Sequence, residues 1–265
     1  MFSLALECTP DEAGFLIASL WEAGSAGITE LPGGLCAFFD RADEALAAQF
    51  AAHHPQWTPV EDRDWIAASQ AAWTPFPVGE RFFLVPQWRD DPAPEGRVRI
   101  PINPGLACGS GFHEATQLCL EAIEALRPHE TLLDVGTGSG ILSVAAGLLG
   151  ARRVIACDDD PTAVSIARSN FSAAALDVLL FLGSSDAVRG ASVDAIVCNI
   201  GAQAAIQLAP SLVRALRPGG IAFLSGFESS EQAAVEASVA AAGAAVSARR
   251  RKNDWVLLEI RAAKA

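Results

Sequence analysis

From about residue 81 onward, short apolar runs alternate with helical stretches, and this alternation narrows the fold more than any other feature of the chain. RFFLVPQW and RVRIPI come first, followed by a loop and a helix from Glu114 to Leu126. TLLDV, RVIACD, VLLFLG, VDAIVCN and GIAFLSG then punctuate the chain, with helices ending at Gly150, opening at Asp160-Pro161 and closing near Arg217. Strands that are apolar on both faces need helices on both faces to cover them, which predicts a doubly wound, mostly parallel sheet. The last two runs, AAVSARR and WVLLEI, are joined by a turn too short for a crossover, so they must pair antiparallel. The expected fold class is α/β, a mostly parallel sheet with an antiparallel closing hairpin, over residues 78–265.

The first 60 residues read differently. FSLALEC suits a short strand, and Thr9-Pro10-Asp11-Glu12 suits a capped helix start with proline at the first position. Gly24 ends that helix. GITEL and LCAFF look like strands joined at Pro32-Gly33-Gly34, Asp40 can cap a second helix to about His53, and a last strand surrounds Trp57 to Val60. Strand, helix, strand, strand, helix, strand is the order of a small α+β, ferredoxin-like domain, an architecture with no single function. Residues 61–77 read as a helical connector that ends at the prolines of positions 75 and 77.

Charge and cysteine usage remove several classes of activity. The net charge of −12 argues against direct nucleic-acid binding. Residues 1–60 carry eight acids against the single base Arg41, a surface that either steers a basic protein partner or serves solubility. No apolar run is long enough to span a bilayer, and no basic residue precedes Arg41, so a cytoplasmic protein without membrane contact is expected. The six cysteines form no CxxC pair and are expected to be buried apolar groups; no metal site is expected.

Ligands of doubly wound sheets sit at the carboxyl ends of the strands. Asp134-Val135-Gly136-Thr137-Gly138-Ser139-Gly140 lies at such an end. There Gly136, Gly138 and Gly140 allow close backbone approach, ahead of a helix N-terminus with unpaired N–H groups. Asp158 ends the next strand and is placed to accept the hydroxyls of a ribose. An adenosine-type nucleoside is implied. The dinucleotide fingerprint GxGxxG has its third glycine one residue later than here, where Ile141 stands. Asp134 would repel a pyrophosphate and suits the ammonium of a methionine moiety, directly or through water. These details favour S-adenosyl-L-methionine over a dinucleotide. Asn199, after VDAIVC, either projects beside the reacting methyl or caps the next helix. Asp186, in GSSD, either accepts the adenine amino group or is an ordinary loop acid.

At this point the residues resemble a known family, the ribosomal protein L11 methyltransferases (PrmA-type). DWIAASQAAWTPFPVGERFFLVPQW is similar to that family's connector and first strands, and GLACGSGFHEATQLCLEAI to its histidine-containing loop and helix. LLDVGTGSGILSVAAGLLGA is similar to its cofactor turn, and CDDDPTAVSIARSN and CNIGAQAAIQLAPSLVRALRPGGIAFLSG to its later segments. The resemblance implies a Rossmann-like class I methyltransferase fold and cofactor contact from the loop Gly109 to Thr116, from Gly136, from Asp158 and from Asn199. It implies methylation of amino groups, a lysine side chain or the N-terminal amine, on a large-subunit ribosomal protein held by the N-terminal module. This chain departs from the pattern at Ser110, at Ala115 where a cofactor-contacting threonine is usual, and at Gly201 where leucine is usual.

Methyl transfer to an amine needs alignment and removal of water more than a dedicated base, because a desolvated ammonium sheds its proton readily. The chain has no tyrosine to serve as one. His113 either relays that proton or holds the loop, and Phe112 either meets the substrate cation or packs. The readings that remain are a methyltransferase of a ribosomal protein, one of another protein lysine or a small molecule, and a catalytically impaired cofactor-binding relative.

Overall fold

The structure, a computed structural model, describes residues 2–31, 33–59, 74–102, 111–126 and 130–263. The chain divides into two compact units, Met1–Trp73 and Thr74–Ala265. The sequence-predicted connector at 61–77 lies outside the described residues up to position 73, as do Cys108, Gly109 and Ser110 of the histidine loop.

In the first unit, β1 (Phe2–Glu7), β2 (Gly27–Leu31), β3 (Gly34–Phe39) and β4 (Gln56–Pro59) form one sheet in the order β2-β3-β1-β4, every neighbouring pair antiparallel. Helix α1 (Pro10–Glu22) starts where expected, with the Thr9 N–H and hydroxyl both donating to the Glu12 carboxylate at 2.9 and 2.7 Å. Helix α2 (Glu44–Gln49) corrects one expectation: its cap is Asp43, not Asp40. Asp43 Oδ1 accepts the N–H groups of Ala45 and Leu46, while β3 runs to Phe39, paired with Phe2, and leaves Asp40 in the connecting bend. The apolar face of this sheet buries Leu4, Leu6 and Leu35 against Leu16 and Leu20 of α1.

In the second unit, three strands stand apart from the main sheet: β5 (Phe76–Val78), β6 (Phe82–Pro86) and β7 (Val98–Ile102), in that order. β5, which falls in the stretch read as connector, pairs antiparallel with β6, and β6 pairs parallel with β7. Among the described residues the main sheet has seven strands. β8 (Thr131–Val135), β9 (Arg153–Asp158), β10 (Val178–Leu182), β11 (Val193–Asn199) and β12 (Leu216–Glu228) pair parallel with one another, whereas β14 (Trp255–Ala262) runs antiparallel between β12 and β13 (Ala244–Lys252). The order is β10-β9-β8-β11-β12-β14-β13. It reverses direction beside β8, so the crevice at the carboxyl ends of β8 and β11 is the natural ligand position.

Helices α3 (Glu114–Ile123), α4 (Ile141–Leu148), α5 (Pro161–Ala173), α6 (Ala202–Ala215) and α7 (Gln232–Ala241) connect these strands. Asp160 caps α5, accepting the Thr162 N–H at 2.7 Å, with Pro161 at the first helical position. Among the described residues no helix is long and apolar enough to cross a membrane. Cys119, Cys157 and Cys198 are buried, and burial raises all three thiols, Cys157 to about 12.

The closing hairpin turns at Asn253-Asp254, and its basic end clasps α3. Lys252 Nζ donates to Gln117 Oε1, Asn253 Nδ2 to Glu114 Oε1 at 3.0 Å, and Arg250 to the Glu121 carbonyl at 3.3 Å. Beneath it, Phe227 of β12 is fully enclosed in the same core as Val235, Val239 and Val256. Phe227→Ala should destabilise this unit by about 3–5 kcal/mol, the transfer loss plus the cavity it leaves. A denaturant titration that places the loss below about 1 kcal/mol would show that this core closes around the gap.

Candidate active site

At the carboxyl end of β8 the chain bends sharply. Gly136, Gly138 and Gly140 have φ of 69°, 55° and 82°, the left-handed region that residues with a Cβ adopt only with strain. The bend is tied to its neighbour strand through the backbone. The N–H groups of Gly136 and Thr137 both donate to the Cys157 carbonyl, at 2.9 and 3.0 Å, and the Gly140 N–H donates to the Thr137 carbonyl at 2.8 Å.

Asp158, at the tip of β9, completes the tie. Its Oδ2 accepts the Gly138 N–H at 2.8 Å and its Oδ1 accepts the Asp160 N–H at 3.1 Å. Each carboxylate oxygen has further lone-pair capacity, so bridging the two loops does not exhaust it as an acceptor.

The bend forms one wall of a cavity of about 420 Å³, a volume in the range of small-molecule sites. Gly136, Thr137, Gly138, Ile141 and Leu142 line that wall. Opposite stand Asn199, Ile200 and Gly201 at the tip of β11, then Gly226 of β12 and Trp255 of β14; His113 and Thr116 come from the start of α3. Ile200 is wedged between two glycines. A Cβ on Gly136 would lie 2.5 Å from Ile200 Cγ2, and one on Gly226 would lie 2.5 Å from the Ile200 carbonyl oxygen. Gly226 has φ 95° at the irregular register between Leu224 and Phe227, so the bulge in β12 is what admits residue 200.

Of the residues singled out from sequence, the cavity brings together Gly136, Gly138, Asn199, His113 and Thr116. Asn199 Nδ2 donates to Thr116 Oγ1 at 3.1 Å, joining β11 to α3. His113 is the N-cap of α3: its Nδ1 accepts the Ala115 N–H at 3.3 Å, and its ring meets Trp255 edge-on with centroids 4.2 Å apart. Phe112 stacks on Phe76 with centroids 4.2 Å apart.

Asp134, Asp158, Gly140, Ala115 and Asp186 do not line the cavity. Ala115 is fully buried, so the departure from threonine falls on an enclosed side chain. Asp186 is exposed in the 3-10 turn Ser185–Ala187, where its carbonyl accepts Arg214 Nη2 at 2.8 Å. Gly201 has φ −58°, and a Cβ there would meet open space, so the backbone does not require glycine. Trp255, Ile200 and Gly226 were missed from sequence, although the carboxyl-end position of the FLSG strand was a signal for Gly226.

Asp134 lies behind the bend, completely buried. Its Oδ2 accepts the Thr137 hydroxyl, the Ser143 N–H and the Ser143 hydroxyl, while Oδ1 has no hydrogen-bond partner among the described residues. Burial raises its pKa to about 6, against the pull of the Thr137 and Ser143 hydrogen bonds and with a push from the Asp158 charge.

A family model described as ribosomal protein L11 methyltransferase (PrmA) matches residues 35–263. The chain belongs to this family. The matched span takes in both sides of the cavity, while β1, α1 and β2 precede it. A ribosomal protein L11 methyltransferase of Gloeobacter violaceus is 41% identical over 204 residues, 76% of this chain and 64% of the relative. One from Heliobacterium modesticaldum is 32% identical over 272 residues, 95% of this chain and 86% of the relative. The chain thus aligns with just under two thirds of the Gloeobacter relative, and with 66% of one from Symbiobacterium thermophilum. Among solved structures, the ribosomal protein L11 methylase of Lactobacillus delbrueckii subsp. bulgaricus superposes with a TM-score of 0.67 at 31% identity, over 73% of this chain and all of that one.

The raised Asp134 pKa fixes the sign of a pH effect. A carboxyl that holds its proton more tightly folded than unfolded contributes most below the unfolded value near 4, and that contribution is lost as pH rises toward 6. Asp134→Asn keeps the shape but cannot titrate. From pH 4 to pH 7 its unfolding free energy should therefore gain on the wild type by roughly 2 kcal/mol. A pH-independent difference between the two would show that Asp134 does not titrate in this window.

Proposed function

We propose that the chain is an S-adenosyl-L-methionine-dependent N-methyltransferase that modifies amino groups, a lysine side chain or the N-terminal amine, of a large-subunit ribosomal protein of the L11 type. The observation that carries this reading is the cavity at the tips of β8 and β11, walled by a glycine bend, within the span matched by the family model.

The residues present suit this cofactor. A Cβ at Gly136 has no room, so backbone itself forms the wall that a nucleoside would approach. The acid at the end of β9 sits one hydrogen bond from Gly138, where ribose hydroxyls would find an acceptor. Asp134, buried behind the bend, keeps one oxygen without a hydrogen-bond partner among the described residues, an acceptor whose charge would complement a cationic methionine end, directly or through water. S-adenosylmethionine, when bound, supplies a methyl group already activated on a sulfonium.

The chain's own part is then to hold, align and dry the reactants. Ile141, Leu142, Ile200 and Trp255 present apolar surface that excludes water from the cavity. An incoming ammonium loses solvation there and gives up its proton more easily, which supports a mechanism without a dedicated base. Asn199 and Thr116 brace each other at the edge where the acceptor would enter. His113 spends Nδ1 on the Ala115 N–H, which supports a holding role for the helix start over a proton relay.

Residues 1–60 are read as a ferredoxin-like module that grasps the substrate. Its strand order and antiparallel pairing support the fold, and eight acids against one base support a basic client. A cytoplasmic site of action, with no direct nucleic-acid or membrane contact, belongs to the same proposal.

Calorimetry should show binding of S-adenosylmethionine and none of NAD, and labelled methyl groups should pass to purified L11. Cofactor binding with no transfer to L11, but transfer to another protein or a small molecule, would reassign the substrate. His113→Ala should lower stability by about 1 kcal/mol through loss of the cap, with slower but measurable transfer. Complete loss of turnover at unchanged cofactor affinity would make the imidazole catalytic.

A further inference from the structure

Behind the glycine bend lies a buried polar side chain that the proposed mechanism does not use. Asn170, on α5, is 6% exposed. Its Nδ2 donates to the Ser139 carbonyl at 2.7 Å, and its Oδ1 accepts Gln87 Nε2 at 3.0 Å from the segment just after β6. The assignment is chemically forced. A carbonyl can only accept, so Asn170 must turn its NH2 toward Ser139 and its oxygen toward Gln87, which must then donate. Gln87 is itself fixed through its N–H, which donates to the Ile102 carbonyl at 2.8 Å.

The place of Ser139 gives this chain of amides its meaning. It stands between Gly138 and Gly140, both at positive φ. Its carbonyl lies in the peptide plane shared with Gly140, and because glycine takes mirror-image backbone conformations at little cost, that plane is freer to rotate than one between two residues with a Cβ. A donor locked onto the Ser139 carbonyl removes that freedom. The rest of α5 acts as a backboard, since a Cβ on Gly140 would lie 2.5 Å from Phe171 Cε1 and 3.4 Å from Ala167 Cβ. One face of α5 thus packs against the bend and supplies its only side-chain amide among these three residues.

We propose that Asn170, oriented by Gln87, is a positioning residue that selects the ligand-binding conformation of the 136–140 bend by holding the Ser139 carbonyl. The proposal rests on the reading of this cavity as the cofactor site. Asn170 acts through the bend, so its loss should appear in cofactor affinity more than in the rate of the bound complex.

The test is calorimetry with S-adenosylhomocysteine on the full chain between pH 5 and pH 8, with melting followed in parallel. Asn170→Asp places a carboxylate against the Ser139 carbonyl and should weaken binding about tenfold at pH 8 relative to wild type. As pH falls, the introduced carboxyl takes a proton, can donate to Ser139 again, and the affinity ratio should return toward one. Asn170→Ala should weaken binding without that recovery. Gln87→Glu, outside the bend and the cavity, offers only acceptors to Asn170 and should turn its amide away from Ser139. It should weaken binding roughly three- to tenfold, and that effect should vanish in an Asn170→Ala background. Wild-type binding with a pH-independent Asn170→Asp ratio, or lowered melting at unchanged affinity, overturns the proposal alone. Failure of the wild type to bind overturns the cofactor reading, and this proposal with it.

Discussion

The backbone of residues 136–140 does not hold its path by itself. Glycine makes its positive φ values accessible, but the bend is kept by what it is tied to: the Cys157 carbonyl, the Asp158 carboxylate, and the hydroxyl of Thr137 on buried Asp134. Two of those three anchors belong to β9. The parallel pairing of β8 with β9 is therefore what delivers an acceptor to each amide, and it brings the acid at the tip of β9 to the same edge. A turn with the same sequence on an isolated hairpin would have no such partners.

The facing wall follows from close packing across strand tips. Ile200 occupies the space that side chains on Gly136 and Gly226 would fill, so the glycine just past β8, the glycine within β12 and the isoleucine just past β11 define a common surface. The bulge at Ser225-Gly226 is held by Ser225, whose hydroxyl donates to the Val256 carbonyl and whose own carbonyl accepts the Ile200 N–H. The antiparallel hairpin therefore shapes the site as well as ending the sheet. It supplies Trp255, and through Lys252 and Asn253 it holds α3, on whose first turn His113 and Thr116 sit.

Much of this was legible in the one-dimensional pattern because the signals were local. The glycine bend, the Asp160-Pro161 helix start and the apolar strands each announce themselves within a few residues, and each stands where it was expected. The cap of α2 was not legible, since Asp40 and Asp43 are chemically equivalent as caps and only the length of β3 chooses between them. β5 was missed for a related reason. A three-residue strand containing proline carries almost no pattern of its own and exists through its pairing with β6. Trp255 and Asn170 read as ordinary strand and helix residues until the chain is folded, because their partners lie 142 and 31 residues away in sequence.

By itself, then, the sequence determined the class of sheet, the place of the bend and the kind of ligand such a bend can approach. These depend on periodicity and on glycine, properties that act over one turn or one strand. Only the tertiary structure decided that none of the acids singled out from sequence lines the cavity, that Asp134 and Asp158 serve first as anchors of the bend, and that a histidine caps the helix beside it. A side chain's role depends on which donors and acceptors meet it, and those come from strands and helices that packing of the apolar core brings together.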